Sequence, residues 1–230
     1  MNRICTMIAA ALLIAGAARA APPAGPVVVE LFTSQGCNSC PPADALLGEL
    51  ASRPDVLALA LHITYWNDLG WRDAFSQRAF DERQRWYVDK LNLRSAYTPQ
   101  MVVNGAQDVV GSQRAAVNRA LDKAARPAAI TLHNMNDVIE ITLPALASAC
   151  DCELMLFGIR PSASTPVRSG ENGGRTLKEF QVVRVMQLLG KWQGDARVLQ
   201  VAHARMPADA SGFAVLAQQR WTGKVVAAGQ

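Results

Sequence analysis

Apolar residues run without interruption in "PVVVELFT", Pro26 to Thr33, apart from Glu30. A short β-branched run of this kind predicts a strand covered on both faces. From Asn38 to about Ser52, Ala43, Leu46, Leu47 and Leu50 recur at helical spacing, so a helix follows. "VLALALH", Val56 to His62, predicts a second buried strand. The charged stretch between Phe75 and Asn92 places Phe80, Trp86, Tyr87 and Leu91 on one face of one or two helices. "QMVVNG" and "QDVVG" flank Asn104-Gly105, a strong hairpin signal. A last helix is expected from an N-cap at Ser112 to a stop before Pro127.

Beyond Pro127 the pattern changes. "AAITLHN", "DVIEITL", "CELMLFGIR", "EFQVVRVMQLL", "ARVLQVAHA" and "GFAVLAQQR" are strand-length runs separated by Pro, Gly, Asn or Asp. Strands alternating with helices predict a sheet with helices on its faces, and the later spacing predicts antiparallel strands. The expected architecture is an α/β N-terminal domain, residues 26–126, followed by a mostly antiparallel, sandwich-like all-β domain, residues 128–230.

The first twenty residues change what composition means. Arg3, an apolar run from Met7 to Ala18 and the small-x-small pattern Ala18-Arg19-Ala20 predict a secretory signal over residues 1–20. The apolar run is shorter than the roughly 20 residues that span a bilayer, so no integral membrane span is expected after cleavage. The 23 Lys and Arg less Arg3 and Arg19 leave 21 against 19 Asp and Glu, a mature charge of about +2. Nothing in that balance points to nucleic acid. Removing Cys5 leaves Cys37, Cys40, Cys150 and Cys152, an even number in a chain expected to be periplasmic or secreted.

"SQGCNSCPPAD", residues 34 to 44, carries the chemistry. A Cys-x-x-Cys between a strand and a helix is a redox signature, because helix N-terminal amides favour a thiolate. At a pKa near 8.5 only about 3% of a thiol is ionised at neutral pH, and a pKa near 6 would ionise about 90%. Cys37 is the expected nucleophile, and Cys40 resolves the mixed disulfide. Pro41 and Pro42 fit the first helical turn, where an absent N–H loses little. The competing readings are a structural bridge or half of a zinc site, but no histidine lies near either cysteine pair in sequence.

Other residues frame the pair. Thr98-Pro99 precedes the third predicted strand; if that bond is cis, the proline caps the site and the Thr98 backbone can pair with an extended substrate. Glu30 is either a buried carboxylate that exchanges a proton with Cys40 or an outward-facing group at a strand end. Tyr65, Trp66 and Trp71 form either a substrate wall beside Cys37 or the packing of a long loop. Cys150 and Cys152, two apart in strand-like sequence, need a local bend to form a bridge. "RSGENGGRTL", residues 168 to 177, lacks the spacing of a phosphate loop and reads as a polar loop between strands.

Strand, Cys-x-x-Cys at a helix start and Thr-Pro before a hairpin resemble the thioredoxin-like superfamily. "VVELFTSQGCNSCPPAD", "YWNDLGW", "LRSAYTPQMVVNG" and "ENGGRTL" resemble more closely a family of exported bacterial proteins described as a domain of unknown function. The superfamily implies an α/β thioredoxin-like fold for the N-terminal domain, residues 26–126, with Cys37 as nucleophile, Cys40 as resolving thiol and a cis Pro99. Its buried acid lies one residue nearer the nucleophile than Glu30. Gly36 stands where thioredoxins place a tryptophan, and Asn38-Ser39 replaces their Gly-Pro. The reading is a thiol–disulfide oxidoreductase acting on protein or small thiol substrates without an organic cofactor. Its rivals are a Cu(I)-binding module, with Met101 as an additional soft ligand, and a redox-inactive interaction module.

Overall fold

The structure, a computed structural model, describes residues 22–230. The expected signal segment lies outside the described residues. The first half forms β1 (Val27–Thr33), α1 (Pro41–Ala51), β2 (Val56–His62), α2 (Arg78–Lys90), β3 (Gln100–Val103), β4 (Gln107–Val110) and α3 (Arg114–Lys123). The second half is β5 (Ala128–Ala129), β6 (Thr131–Met135), β7 (Val138–Leu143), β8 (Cys152–Pro166), β9 (Thr176–Trp192), β10 (Arg197–Ala202), β11 (Gly212–Gln219) and β12 (Val225–Gly229), with one 3₁₀ turn at His203–Arg205. Helix α1 starts after Cys40 rather than at Asn38, because Pro41 and Pro42 occupy its first positions. Gln113, not Ser112, caps α3.

The expected architecture is overturned. The chain does not form an α/β thioredoxin-like domain beside a separate sandwich; it is mostly strand, built around one large curled mixed sheet. The strand order is β4-β3-β1-β2-β9-β8-β11-β12-β5, so strands of the second half continue the sheet begun by the first. The physical reason is the edge of β2. It is an apolar strand buried along its whole length, and β9 pairs with it in parallel at Ala60 and Val182. An uncovered edge there would leave unpaired amides and carbonyls available for aggregation. The sheet then curls until β12 and β5 reach the start of β1, where Gly25 N–H donates to the Pro127 carbonyl. A smaller sheet, β10-β7-β6, covers part of the outside.

Three apolar layers result. The concave face of the sheet closes on α2, packing Phe80 and Tyr87 against Val28, Phe32, Phe157 and Leu216. Helices α1 and α3 cover the opposite face of β1, β2 and β3 through Leu46, Leu47, Val117 and Leu121. The third layer lies under the smaller sheet and includes Trp192, Leu156 and Ile141. The β3–β4 turn has positive φ at Asn104 (47°) and Gly105 (62°), the geometry that Asn-Gly favours. A side chain at Gly105 would also strike the Gly223 carbonyl, so two constraints select glycine there.

Alternation along β1 sends Val28, Glu30 and Phe32 to the concave face and Val29, Leu31 and Thr33 toward α1. Glu30 is fully buried and paired with Arg83 of α2, which donates from Nη2 to Oε1 at 2.8 Å and from Nε to Oε2. Tyr87 also donates to Glu30, and Gln218 of β11 accepts from Arg83 at 3.2 Å. Burial alone would ease the proton from the guanidinium, but the charge of Glu30 and then Tyr87 raise its pKa above the ordinary arginine range. The cluster ties β1, α2 and β11 together, so its loss falls on both halves of the chain. We predict that Arg83→Met, which leaves Glu30 buried without its cation, lowers unfolding free energy by about 3–5 kcal/mol in urea titrations.

Candidate functional site

Strand β1 ends at Thr33, and Ser34, Gln35 and Gly36 turn the chain into Cys37. The Cys37 N–H donates to the Ser34 carbonyl at 3.2 Å, and Gly36 N–H donates to Ser34 Oγ at 3.1 Å. Cys37 and Cys40 are joined by a disulfide, with Cα atoms 5.4 Å apart. Cys40 is the N-cap of α1: its carbonyl accepts from the N–H groups of Ala43 (2.8 Å) and Asp44 (3.1 Å). The pair therefore lies at the positive end of the helix dipole. Ser39 Oγ approaches Cys37 Sγ at 3.3 Å.

Both cysteines are fully buried; only Asn38 and Ser39 of the tip are exposed. The cover is the loop between β8 and β9. Asn172, itself buried, donates from Nδ2 to the carbonyls of Gln35 and Cys37, both at 3.0 Å. Arg175 donates to Asn172 Oδ1 at 2.9 Å and fixes its orientation, and Asn38 N–H donates to Glu171 at 3.2 Å. The stretch "GENGGR", a polar inter-strand loop in the sequence reading, is thus a strap laid across the dithiol.

The long loop after β2 closes the other side. Trp71 Nε1–H donates to Gln35 Oε1 at 2.9 Å, and Gln35 Nε2 donates to Glu179 of β9 at 2.6 Å. Trp66 donates to Thr98 Oγ1 at 2.9 Å and packs against Gly36, where an added Cβ would come within 3.1 Å of the Trp66 Cβ. The absence of a side chain at Gly36 admits the Cβ and backbone of Trp66, so a tryptophan reaches the site from a distant part of the chain. Tyr65 reaches Gln84 of α2 at 3.1 Å and remains partly exposed. The Thr98-Pro99 bond is cis, and the Pro99 carbonyl accepts from Gly111 N–H at 2.9 Å. Cys37, Cys40, Trp66, Trp71, Thr98 and Pro99 are therefore brought together around one end of the sheet.

Two sequence candidates are elsewhere. Glu30 occupies the concave face with Arg83, while the cysteines head α1 on the other side. Cys150 and Cys152 pair with Cα atoms 5.4 Å apart at the start of β8, packed near Trp192. The end of β8 reaches the dithiol through Thr165, which accepts from Gln35 Nε2 at 3.2 Å. At about 3.3 Å per residue the two cysteine pairs are separated by roughly 40 Å of strand, too far for direct exchange. Among the described residues, no group of three or more His, Cys, Asp or Glu is placed to hold a metal ion.

The sequence reading missed a buried acid–base cluster under the disulfide. Thr33 and His62 are register partners at the ends of β1 and β2, both facing α1. Asp44, one turn beyond Cys40 in α1, lies over them, and burial is the main reason its pKa is raised to about 7; His62 and the Thr33 hydroxyl pull it the other way. His62 Nδ1 meets Asp73 Oδ2 at 2.7 Å. Burial opposes protonation of His62, but the charge and hydrogen bond of Asp73, with Asp44 and Glu179, raise its pKa. Burial would likewise raise Asp73, yet His62 and the N–H groups of Gln35 and Phe75 bring it below the ordinary carboxylate value. Asp44 was detectable as an acid among the apolar positions of α1. His62 was detectable as the end of the 56, 58, 60, 62 series.

Residues 28–218 match the family model described as "Protein of unknown function (DUF1223)". A crystal structure of a protein from Agrobacterium tumefaciens is similar, with 30% identity and a TM-score of 0.75 over 90% of this chain and 94% of that one. HBP35 of Porphyromonas gingivalis shares the fold at 15% identity, with a TM-score of 0.61 over 91% of this chain and 76% of that one. A search of curated proteins gave no match.

Two outcomes are expected. Asn172→Ala removes two hydrogen bonds from the strap, so reduction of Cys37–Cys40 by dithiothreitol accelerates about tenfold or more, because each 1.4 kcal/mol lost from a local closed state raises the open population tenfold. Thiol release with time measures it. The second concerns pH. The folded state holds the Asp44 proton more tightly than the unfolded chain, so stability falls as pH rises between the ordinary carboxylate value and about 7, then levels. At 1.36 kcal/mol per unit this amounts to about 4 kcal/mol, and Asp44→Asn removes that portion of the pH dependence in denaturant titrations. The raised His62 contributes in the same direction: its stabilisation is full below the ordinary histidine value of 6.5 and is lost as pH rises from there through its folded pKa.

Proposed function

This chain belongs to the DUF1223 family of unknown function, and from its site we propose that it is an exported thiol–disulfide oxidoreductase acting on protein or small thiol substrates. The observation that carries the reading is the closed Cys37–Cys40 pair at the first turn of α1, where helix amides favour a sulfur anion. This local unit, with Thr98-Pro99 beside it, supports kinship of chemistry with the thioredoxin-like superfamily. The apolar N-terminal stretch and the two cysteine pairs support a periplasmic or secreted location. Among the described residues, no helix is long and apolar enough to cross a membrane.

In the reducing direction the Cys37 thiolate attacks one sulfur of a substrate disulfide. A Cys37–substrate disulfide forms, and the other substrate sulfur leaves as a thiolate that takes a proton from water. The Cys40 thiolate then attacks Cys37 Sγ, closing the intramolecular disulfide and expelling the second substrate thiolate. Two electrons pass from the dithiol to the substrate, and the reverse sequence oxidises a substrate dithiol. Thr98 and Pro99 flank the substrate segment, and Trp66 holds Thr98 in place.

The strap makes access conditional. Because both sulfurs are covered, exchange proceeds through an opening in which Asn172 releases the Gln35 and Cys37 carbonyls. A Cys40→Ser variant cannot complete the second step, so it accumulates mixed disulfides through Cys37 that a reductant dissolves. Non-reducing electrophoresis of the variant incubated with a disulfide-bonded protein shows the adduct, and Cys37→Ser abolishes it. A Cys40→Ser protein that forms no adduct with protein or small disulfides contradicts this function.

A further inference from the structure

The resolving step requires Cys40 to lose a proton in a buried site, and Glu30, the candidate in the sequence, is on the wrong face of the sheet. We propose that Asp44 exchanges this proton with Cys40, with His62 and Asp73 setting its readiness to do so. The inference rests on the oxidoreductase reading and assigns a proton acceptor to its second step.

The geometry supplies three conditions. First, residues four apart on a helix share a face, and Asp44 stands one turn from Cys40 with its own N–H bonded to the Cys40 carbonyl. Second, Asp44 has a route to solvent. A groove of about 520 Å³ runs between α1 and the start of β9, lined by Pro41, Asp44, Ala45, Gly48, Leu177 and Phe180. Asp44 itself lines this groove, and no strap residue from Gly170 to Arg175 does, so a proton held on Asp44 leaves without crossing the strap. Third, the cluster beneath is polarised. His62 is buried, its Nδ1 held by Asp73 and its Nε2 without a hydrogen-bond partner among the described residues.

The charges facing Asp44 come from each element around it. They are His62 of β2, Asp73 of the following loop and the buried Glu179 of β9, with Lys178 of β9 and Glu49 of α1 lining the groove. Burial and the two acids favour the protonated carboxyl; His62 favours the carboxylate. The balance leaves Asp44 near neutrality, where a group accepts and returns a proton with little loss in either direction.

The step balances. With substrate bound to Cys37, the Asp44 carboxylate takes the Cys40 S–H proton, and the new thiolate attacks Cys37 Sγ. The disulfide closes, the substrate thiolate leaves and is protonated by water, and Asp44 returns its proton through the groove. In the opposite direction, the Asp44 carboxyl protonates Cys40 as an incoming thiolate opens the bridge.

The test uses reduced protein and excess 5,5′-dithiobis(2-nitrobenzoate). Attack by Cys37 releases one thionitrobenzoate, and closure by Cys40 releases a second, so the two steps are read as successive phases from pH 5 to 9. In the wild type the second phase rises with pH through an inflection near 7. Asp44→Asn slows that phase at least tenfold at pH 7.5 and moves its inflection toward the ordinary thiol range, while the first phase changes less than twofold. Equal second phases in the two proteins at every pH overturn the inference. So does a wild-type second phase without an inflection near 7, a result that needs no variant. Absence of the first phase in the wild type defeats the oxidoreductase reading itself, and the inference with it.

Discussion

The outer edge of β2 is the constraint from which the architecture follows. The strand is apolar on both faces, with α1 on one side and the layer around α2 on the other, so its remaining edge must also be closed. Strand β9 supplies the partner, and in doing so it merges two sets of strands into one sheet. It also fixes where the β8–β9 loop falls. With β9 beside β2, the loop before Thr176 reaches the Cys-x-x-Cys turn beyond β1, and Asn172 meets two of its carbonyls. The cover over the dithiol is therefore a consequence of strand pairing.

Individual elements were legible because their signals are local. Short, nearly unbroken apolar runs located β1 and β2, Asn-Gly located the β3–β4 turn, and helical spacing located α1. Partners were not legible. "EFQVVRVMQLL" reads as a strand in any sheet, and nothing in its pattern says that Val182 will bridge Ala60. The change of texture at Pro127 marks a change in element type, from helices alternating with strands to strands alone. Read as a boundary between folds it misleads, because sheets join through backbone groups that every residue carries. The short β12 escaped notice because "VVAAG" offers little contrast between its faces.

The site was half legible for the same reason. Cys37, Cys40 and Thr98-Pro99 carry their chemistry in adjacent residues. Asn172, Glu179 and His62 acquire theirs only when β9 and β2 are side by side. Glu30 shows the limit of reading a buried carboxylate as functional. Burial was one of the two readings its sequence allowed, but strand alternation turns it from the cysteines toward α2, where Arg83 compensates its charge. Asp44 is the converse: an acid in a helix that would pass for a first-turn dipole partner until β1, β2 and β9 are placed beneath it.

Keeping a dithiol dry and keeping it ionisable are opposed demands. Excluding water removes the solvation that a thiolate needs, and a buried charge without compensation is costly. Here the Cys37–Cys40 pair lies at the positive end of α1, while Asp73 beside His62 raises the pKa of that imidazole below. Under the proposed oxidoreductase function, these groups are fixed by packing before a substrate arrives, and little reorganisation is needed when charge develops on sulfur. On that reading the strap meets the first demand and the buried cluster the second. Because Asn172 touches the carbonyls on either side of Gly36, one opening would release both the turn and its cysteine, and under the proposed function substrate access and hydration of the site are then coupled.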